Sequence, residues 1–190
     1  MGAAAAPRVP LVRARTIAEQ LVRILAPACE RIVIAGAIRR RKLEVADIDI
    51  VALPRVRRDL AGLVLDDDLE PLVTRLRAAG TLRWRRRGDG GYMATGPRRY
   101  ALVHEDSWIP IDLFSVRPPA QWGAILAIRT GPAEYSQALV VGARKRGLRC
   151  EDGRLIRNDD SVPPVERATP EERDFIAACG FPWADPEWRR

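Results

Sequence analysis

Within the run Ala46-Asp47-Ile48-Asp49-Ile50-Val51-Ala52-Leu53, acidic and branched aliphatic residues alternate with a period of two. Residues i and i+2 of a strand share a face. Ile48 and Ile50 therefore predict a core-facing surface, with Asp47 and Asp49 side by side on the other, in a strand over 46–53 closed by Pro54. Two carboxylates so close repel, and aspartate is a poor strand former. Either a bound cation or pairing with neighbouring arginines must offset that cost. Asp112, in Ile109-Pro-Ile-Asp-Leu-Phe114, again sets an acid inside an apolar strand. With the two strands adjacent, three carboxylates would face one cleft, enough for two divalent ions that clamp the attacking and leaving oxygens of a phosphoryl transfer. Hard carboxylate oxygens suit Mg²⁺.

The remaining pattern is that of an α+β chain. Ile17, Leu21, Ile24 and Leu25 recur at helical spacing and predict a helix over 12–26, ended by Pro27. Arg31–Ala35 reads as a strand, Gly36 as a tight turn, and Arg39–Glu44 as a charged connector. Asp66-Asp67-Asp68 before Leu69, Leu72, Val73 and Leu76 reads as an acidic helix start, with Gly80 as the C-cap; we take capping over a metal role because consecutive side chains diverge there. Strands are expected over 81–87, 92–95, 99–104 and 108–116, helices over 119–128 and after Gly131-Pro132, and a hairpin around Asp152-Gly153. Thr169-Pro170-Glu171-Glu172 predicts a last helix with Thr169 as N-cap, stopped by Gly180. The change from strands to helices near Pro118 divides the chain into 1–117 and 118–190.

Composition narrows the class. The chain has 190 residues, 47% hydrophobic and 30% charged, so wholesale disorder is excluded. No apolar run approaches the length of a bilayer span, and Ala3–Ala6 is too short for a signal-peptide core; the expectation is a soluble, cytoplasmic protein without a membrane partner. Cys29, Cys150 and Cys179 are odd in number and far apart, which speaks for free thiols, and the lone His104 has no partner nearby in sequence. The net charge of +7 is almost all arginine, with Lys42 and Lys145 the only lysines. Arginine forks suit phosphate groups, so a polyanion partner is compatible, although arginine can also simply fill surface positions.

Taken together, Gly36-Ala37-x-Arg39-Arg40, a charged connector, Asp47-x-Asp49 and the strand residue Asp112 resemble the nucleotidyltransferases of DNA polymerase family X. Gln121-Trp122-Gly123-Ala124, Thr130-Gly131, Arg144-Lys145-Arg146-Gly147-Leu148, Thr169-Pro-Glu-Glu and Gly180-Phe-Pro-Trp follow in that family's order, so the similarity runs from about residue 13 to residue 188. The resemblance implies a palm (1–117), a mixed sheet with flanking helices, and a small thumb (118–190) of helices and a hairpin. It implies an enzyme that adds dNMP from a dNTP to a primer 3′-hydroxyl with two Mg²⁺ or Mn²⁺ ions, in gap-filling DNA repair and as a monomer. Asp47 and Asp49 would bind both metals, and Asp112 one of them while helping to deprotonate the primer hydroxyl. Gly36, Ala37, Arg39 and Arg40 would hold the triphosphate, Thr130 and Gly131 the sugar, and Arg144, Lys145 and Arg146 the DNA.

Departures from the pattern carry expectations too. Ala37 lacks the hydroxyl usual there, Ile128-Arg129 replaces an aromatic pair, and Ser136 and Val140 stand where base-pair contacts are made in the family. These leave open a nucleotidyltransferase that acts without a template on RNA, a protein or a small molecule. A non-catalytic nucleic-acid-binding module is the third reading. Too few residues precede Gly36 for the family's lyase domain, so no lyase activity is expected. A cis peptide is expected at Gly131–Pro132, where the family often has one.

Overall fold

A computed structural model describes residues 8–58, 60, 64–159 and 163–189. The Ala3–Ala6 segment lies outside them. In chain order the elements are β1 (Val9–Pro10), α1 (Leu11–Leu25), β2 (Cys29–Ile34), α2 (Gly36–Arg39), β3 (Glu44–Val45), β4 (Ile48–Pro54), β5 (Val56–Arg58), β6 (Val64–Asp67) and α3 (Leu69–Ala78). There follow β7 (Leu82–Trp84), β8 (Arg99–His104), β9 (Pro110–Ser115), α4 (Trp122–Thr130), α5 (Ala133–Lys145), β10 (Leu148–Glu151), β11 (Arg154–Arg157), β12 (Glu166–Arg167) and α6 (Glu172–Ala178). The chain is thus α+β.

Five strands form the main sheet in the order β2-β4-β9-β8-β7, with β4 and β9 parallel and the other neighbours antiparallel. Helix α1 buries Ala14, Ile17, Ala18, Leu21 and Leu25 against it, a stripe at helical spacing. Ile24, expected on that stripe, is exposed because Ala14 and Ala18 complete the face instead. From the sheet, Ile48, Ile50, Ile111 and Leu113 enter the same core. A second core, built only from residues beyond 123, joins α4, α5, α6 and the β10–β11 hairpin. Ala35, Val51, Phe114, Trp122 and Leu126 form an apolar seam between the two. The first core is thus built from residues up to Leu113 and the second from residues from Ala124 onward.

Several local expectations are corrected. Strand β4 starts at Ile48, and Asp47 lies in the bend before it. Asp66 and Asp67 close β6, an antiparallel partner of β5 that the sequence pattern did not show. Of the three aspartates Asp67 does the capping: its Oδ1 accepts from the Leu69 and Glu70 amides at 2.9 and 3.1 Å, while Arg117 pairs with the same carboxylate. Tyr92–Thr95 is not a strand; it meets the sheet region through the bridge Arg86↔Tyr92, the Met93 amide donating to the Arg85 carbonyl at 2.8 Å and the Thr95 hydroxyl donating to the Arg99 carbonyl at 3.1 Å. Thr169 does not cap α6, because the Gln121 side chain, at the start of α4, captures both its amide and its hydroxyl. Glu171 takes over, in a capping box with Asp174. Gly131–Pro132 is trans, with both residues extended as they lead into α5; the cis bond among the described residues is Pro118–Pro119. No helix among the described residues is long and apolar enough to cross a membrane. All three cysteines are free, with Cys29 and Cys179 buried.

Candidate active site

Parallel pairing of β4 with β9 sets Asp49 directly opposite Asp112. Both side chains therefore leave the sheet on one face, and Asp47 reaches the same point from the bend before β4. One carboxylate oxygen from each of the three lies within 4.8 Å of the others. Asp112 is buried, and the other two are partly so. Loss of water around Asp49, then the nearby charges of Asp47 and Asp112, push its carboxyl up to about 7, against the opposing pull of Arg129 and Arg40. Asp47 is raised as well, by burial first and then by Asp112.

Gly36 closes the site from the side of β2. Its φ is +58°, a left-handed conformation that suits glycine. A Cβ there would fall 1.9 Å from Asp49 Oδ2, so no other residue fits without displacing that carboxylate. The neighbouring Ala35 amide donates to the Asp49 carbonyl at 2.8 Å and fixes the turn to β4. Beyond it, Ala37, Arg40, Lys42, Ala46 and Asp47 line an open cleft of about 750 Å³. Arg40 donates to the Thr130 carbonyl at 2.5 Å, and its buried Nε has no partner.

An arginine collar, which the sequence reading missed, surrounds the acids. Arg85 Nη2 donates to Asp112 Oδ1 at 2.8 Å, and Arg99 Nε and Nη2 reach the same oxygen at 3.1 and 2.8 Å. All three donors converge on Oδ1, and Oδ2 of Asp112 accepts no hydrogen bond among the described residues. Arg129 lies 4.1 Å from the Phe114 ring centroid. The signal was available in outline: Arg99 stands two residues before Ala101, the register partner of Asp112 on β8. Which arginine of a rich supply would face the site depends on strand order, and composition does not carry that.

Other predicted site residues are engaged elsewhere. Arg39 does not point a free guanidinium at the acids. It donates to Thr130 Oγ1 at 2.7 Å and, in a two-pronged pair, to Glu172 at 2.8 and 2.7 Å. Glu172 is also held by Arg189, at 2.5 Å, and this buried Arg39–Glu172–Arg189 cluster clasps the two cores together. Burial alone would raise the Glu172 carboxyl, but hydrogen bonds from Arg39 and Arg189 hold it below its ordinary value. Gly131 packs closely on Tyr135, where a Cβ would meet Cδ1 at 2.6 Å. Arg144, Lys145 and Arg146 are exposed at the end of α5.

The donor set is all hard oxygen, the carboxyls of Asp47 and Asp49 are both pushed up, and Asp112 Oδ2 accepts no hydrogen bond among the described residues. Those features fit a divalent cation better than a closed ion-pair network, since the arginines leave Asp47 without a hydrogen bond among the described residues. Comparison with protein-family models and with curated proteins yields no match.

Proposed function

We propose that the chain is a nucleotidyltransferase of the family X DNA polymerase type, with residues 1–117 as palm and 118–190 as thumb. It would add dNMP from a dNTP to a primer 3′-hydroxyl, in gap-filling repair. One observation carries the reading: three carboxylates from the start of β4 and from β9 converge within 4.8 Å beside a glycine turn that tolerates no side chain. Asp47, Asp49 and Asp112 would hold two Mg²⁺ or Mn²⁺ ions, which supply charge neutralisation at the phosphates and a more acidic hydroxyl. Arg40 and the backbone at Gly36 and Ala37 face the triphosphate. Asp112 Oδ2, which no arginine engages, receives the primer proton as the 3′-oxygen bonds to the α-phosphorus and pyrophosphate leaves. Arg85 and Arg99 hold Asp112 in that orientation. Arg39 acts at a distance, fixing the thumb through Glu172 and Thr130 instead of touching the nucleotide.

A template-independent transferase acting on RNA, a protein or a small molecule is favoured by one feature. The Ser136 hydroxyl donates to the Ile128 carbonyl at 2.8 Å and is not offered to a base pair. Extension of a 5′-phosphorylated one-nucleotide gap, with each dNTP and rNTP supplied separately, decides between them. Templated incorporation supports the polymerase, and addition blind to the template supports the alternative. Asp49→Asn should slow extension by at least about 10²–10³-fold, because it removes charge preorganised for the transition state. Equal extension by that variant removes the mechanism.

A further inference from the structure

The free edge of the main sheet, at β7, carries aromatic rings that core packing does not explain. Trp108, in the turn between β8 and β9, is 65% exposed and holds a left-handed φ of +56°, disfavoured for a bulky residue. Tyr92, after the Gly88–Gly91 turn, is 55% exposed. Each ring on this edge is faced by a guanidinium: Arg83 lies 5.5 Å from the Trp108 centroid, Arg86 4.9 Å from Tyr92, and Arg77 4.0 Å from Trp84. Arg77, Arg83, Trp84, Arg86 and Tyr92 line one cleft of about 230 Å³. Among the described residues Arg77 and Arg86 have no carboxylate partner; Arg86 binds only the Gly90 carbonyl and the Tyr92 hydroxyl.

Arg83, by contrast, pairs with Glu105. Exposed rings beside Arg77 and Arg86, which carry no counter-charge among the described residues, complement a chain that is planar and anionic by turns. Bases stack on the rings without regard to sequence, and guanidinium groups take the phosphates. A duplex offers only its phosphates to such a surface and leaves the rings in water, so the complement is an unpaired strand. The edge also leads to the acids, because Arg85, the residue after Trp84, donates to Asp112 at 2.8 Å.

We propose that the β7 edge, from its cleft to the neighbouring Trp108, binds a single-stranded nucleic-acid segment, with bases stacked on Tyr92 and Trp108 and phosphates on Arg77 and Arg86. This goes beyond the nucleotidyl-transfer reading and needs no cation, so it is tested in EDTA. Binding of labelled (dT)12 to the full chain is followed by fluorescence anisotropy over a salt series. Tyr92→Ala and Trp108→Ala should each weaken binding about tenfold, as expected for one lost base stack, with the salt slope unchanged. Arg86→Gln should instead lower the slope by about 0.7, one released counterion from a single strand. An abasic oligomer of equal length loses both stacks and should bind the native chain about 100-fold more weakly than (dT)12 does. Unchanged affinity in both aromatic variants overturns the proposal. So does equal affinity for the abasic strand or for a poly-glutamate peptide. Both rings are exposed, so the variants should fold, and their melting is checked alongside. Gap extension is assayed separately: if it fails while (dT)12 binding behaves as stated, the catalytic reading alone is lost.

Discussion

Replacing Asp49 by asparagine should stabilise the metal-free protein, and by an amount set by pH. Its carboxyl rises from 3.8 to about 7 on folding, by burial first and then by Asp47 and Asp112. A raised folded pKa means that the native state binds a proton more tightly than the unfolded chain does. The resulting penalty is absent below the unfolded value, grows as pH rises from about 4 to about 7, and levels above that. Each unit is worth about 1.4 kcal/mol, so the full penalty at pH 8 is at most about 4 kcal/mol, against about 1.5 kcal/mol at pH 5. Local relaxation and water should halve these figures. Asparagine keeps the shape and carries no charge, so about 2 kcal/mol returns at pH 8, a rise of roughly 4–8 °C in Tm for a chain of this size. Thermal melts of both proteins in EDTA at pH 5, 6, 7 and 8 check it. The variant's advantage should widen between pH 5 and 7 and then stay constant. An advantage that does not change with pH, or a variant that melts lower at pH 8, would refute the claim that burial and the neighbouring acids outweigh the surrounding arginines at Asp49.

Gly36→Ala should abolish cation-dependent activity and lower stability by more than about 2 kcal/mol, since it combines a left-handed φ with a collision on Asp49 Oδ2; a denaturant titration and the gap assay read both. Glu172→Gln leaves Arg39 and the buried Arg189 without their counter-charge and should cost about 3–5 kcal/mol in urea melts at pH 7. The Glu172 carboxyl is held low, so its contribution is present at neutral pH and lost as pH falls through its folded value. The gap between native chain and Glu172→Gln should therefore narrow as pH falls below the ordinary glutamate value of 4.5, as followed by circular dichroism.

The alternation around Asp49 was legible because a strand's period of two exposes its faces directly, and α1 because its apolar stripe has the helical period. Punctuation by glycine was equally plain: Gly80, with φ +75°, follows the C-cap Ala79 and ends α3, with the Thr81 amide donating to the Leu76 carbonyl. The acids could be chosen from sequence because an aspartate inside an apolar strand has few explanations. The arginines could not be. Arg85 and Arg99 matter through the order β9-β8-β7, which sets them around Asp112, and nothing local distinguishes them from Arg83 or Arg98. Long-range competition likewise hid the start of α6, where Gln121 takes Thr169 across 48 positions and the cap moves to Glu171. The pairing of Arg39 was hidden for the same reason: its carboxylate partner lies 133 positions away, in the other core.

The most direct test of the central claim is a calorimetric titration of a non-hydrolysable dNTP at pH 8, with Mn²⁺ and again with EDTA, on the native chain and on Asp49→Asn and Asp112→Asn. Binding should occur only with Mn²⁺ and only in the native chain, because in the proposed site the nucleotide would be held through cations shared by all three carboxylates. Equal binding in EDTA, or undiminished binding by both variants in Mn²⁺, would contradict it.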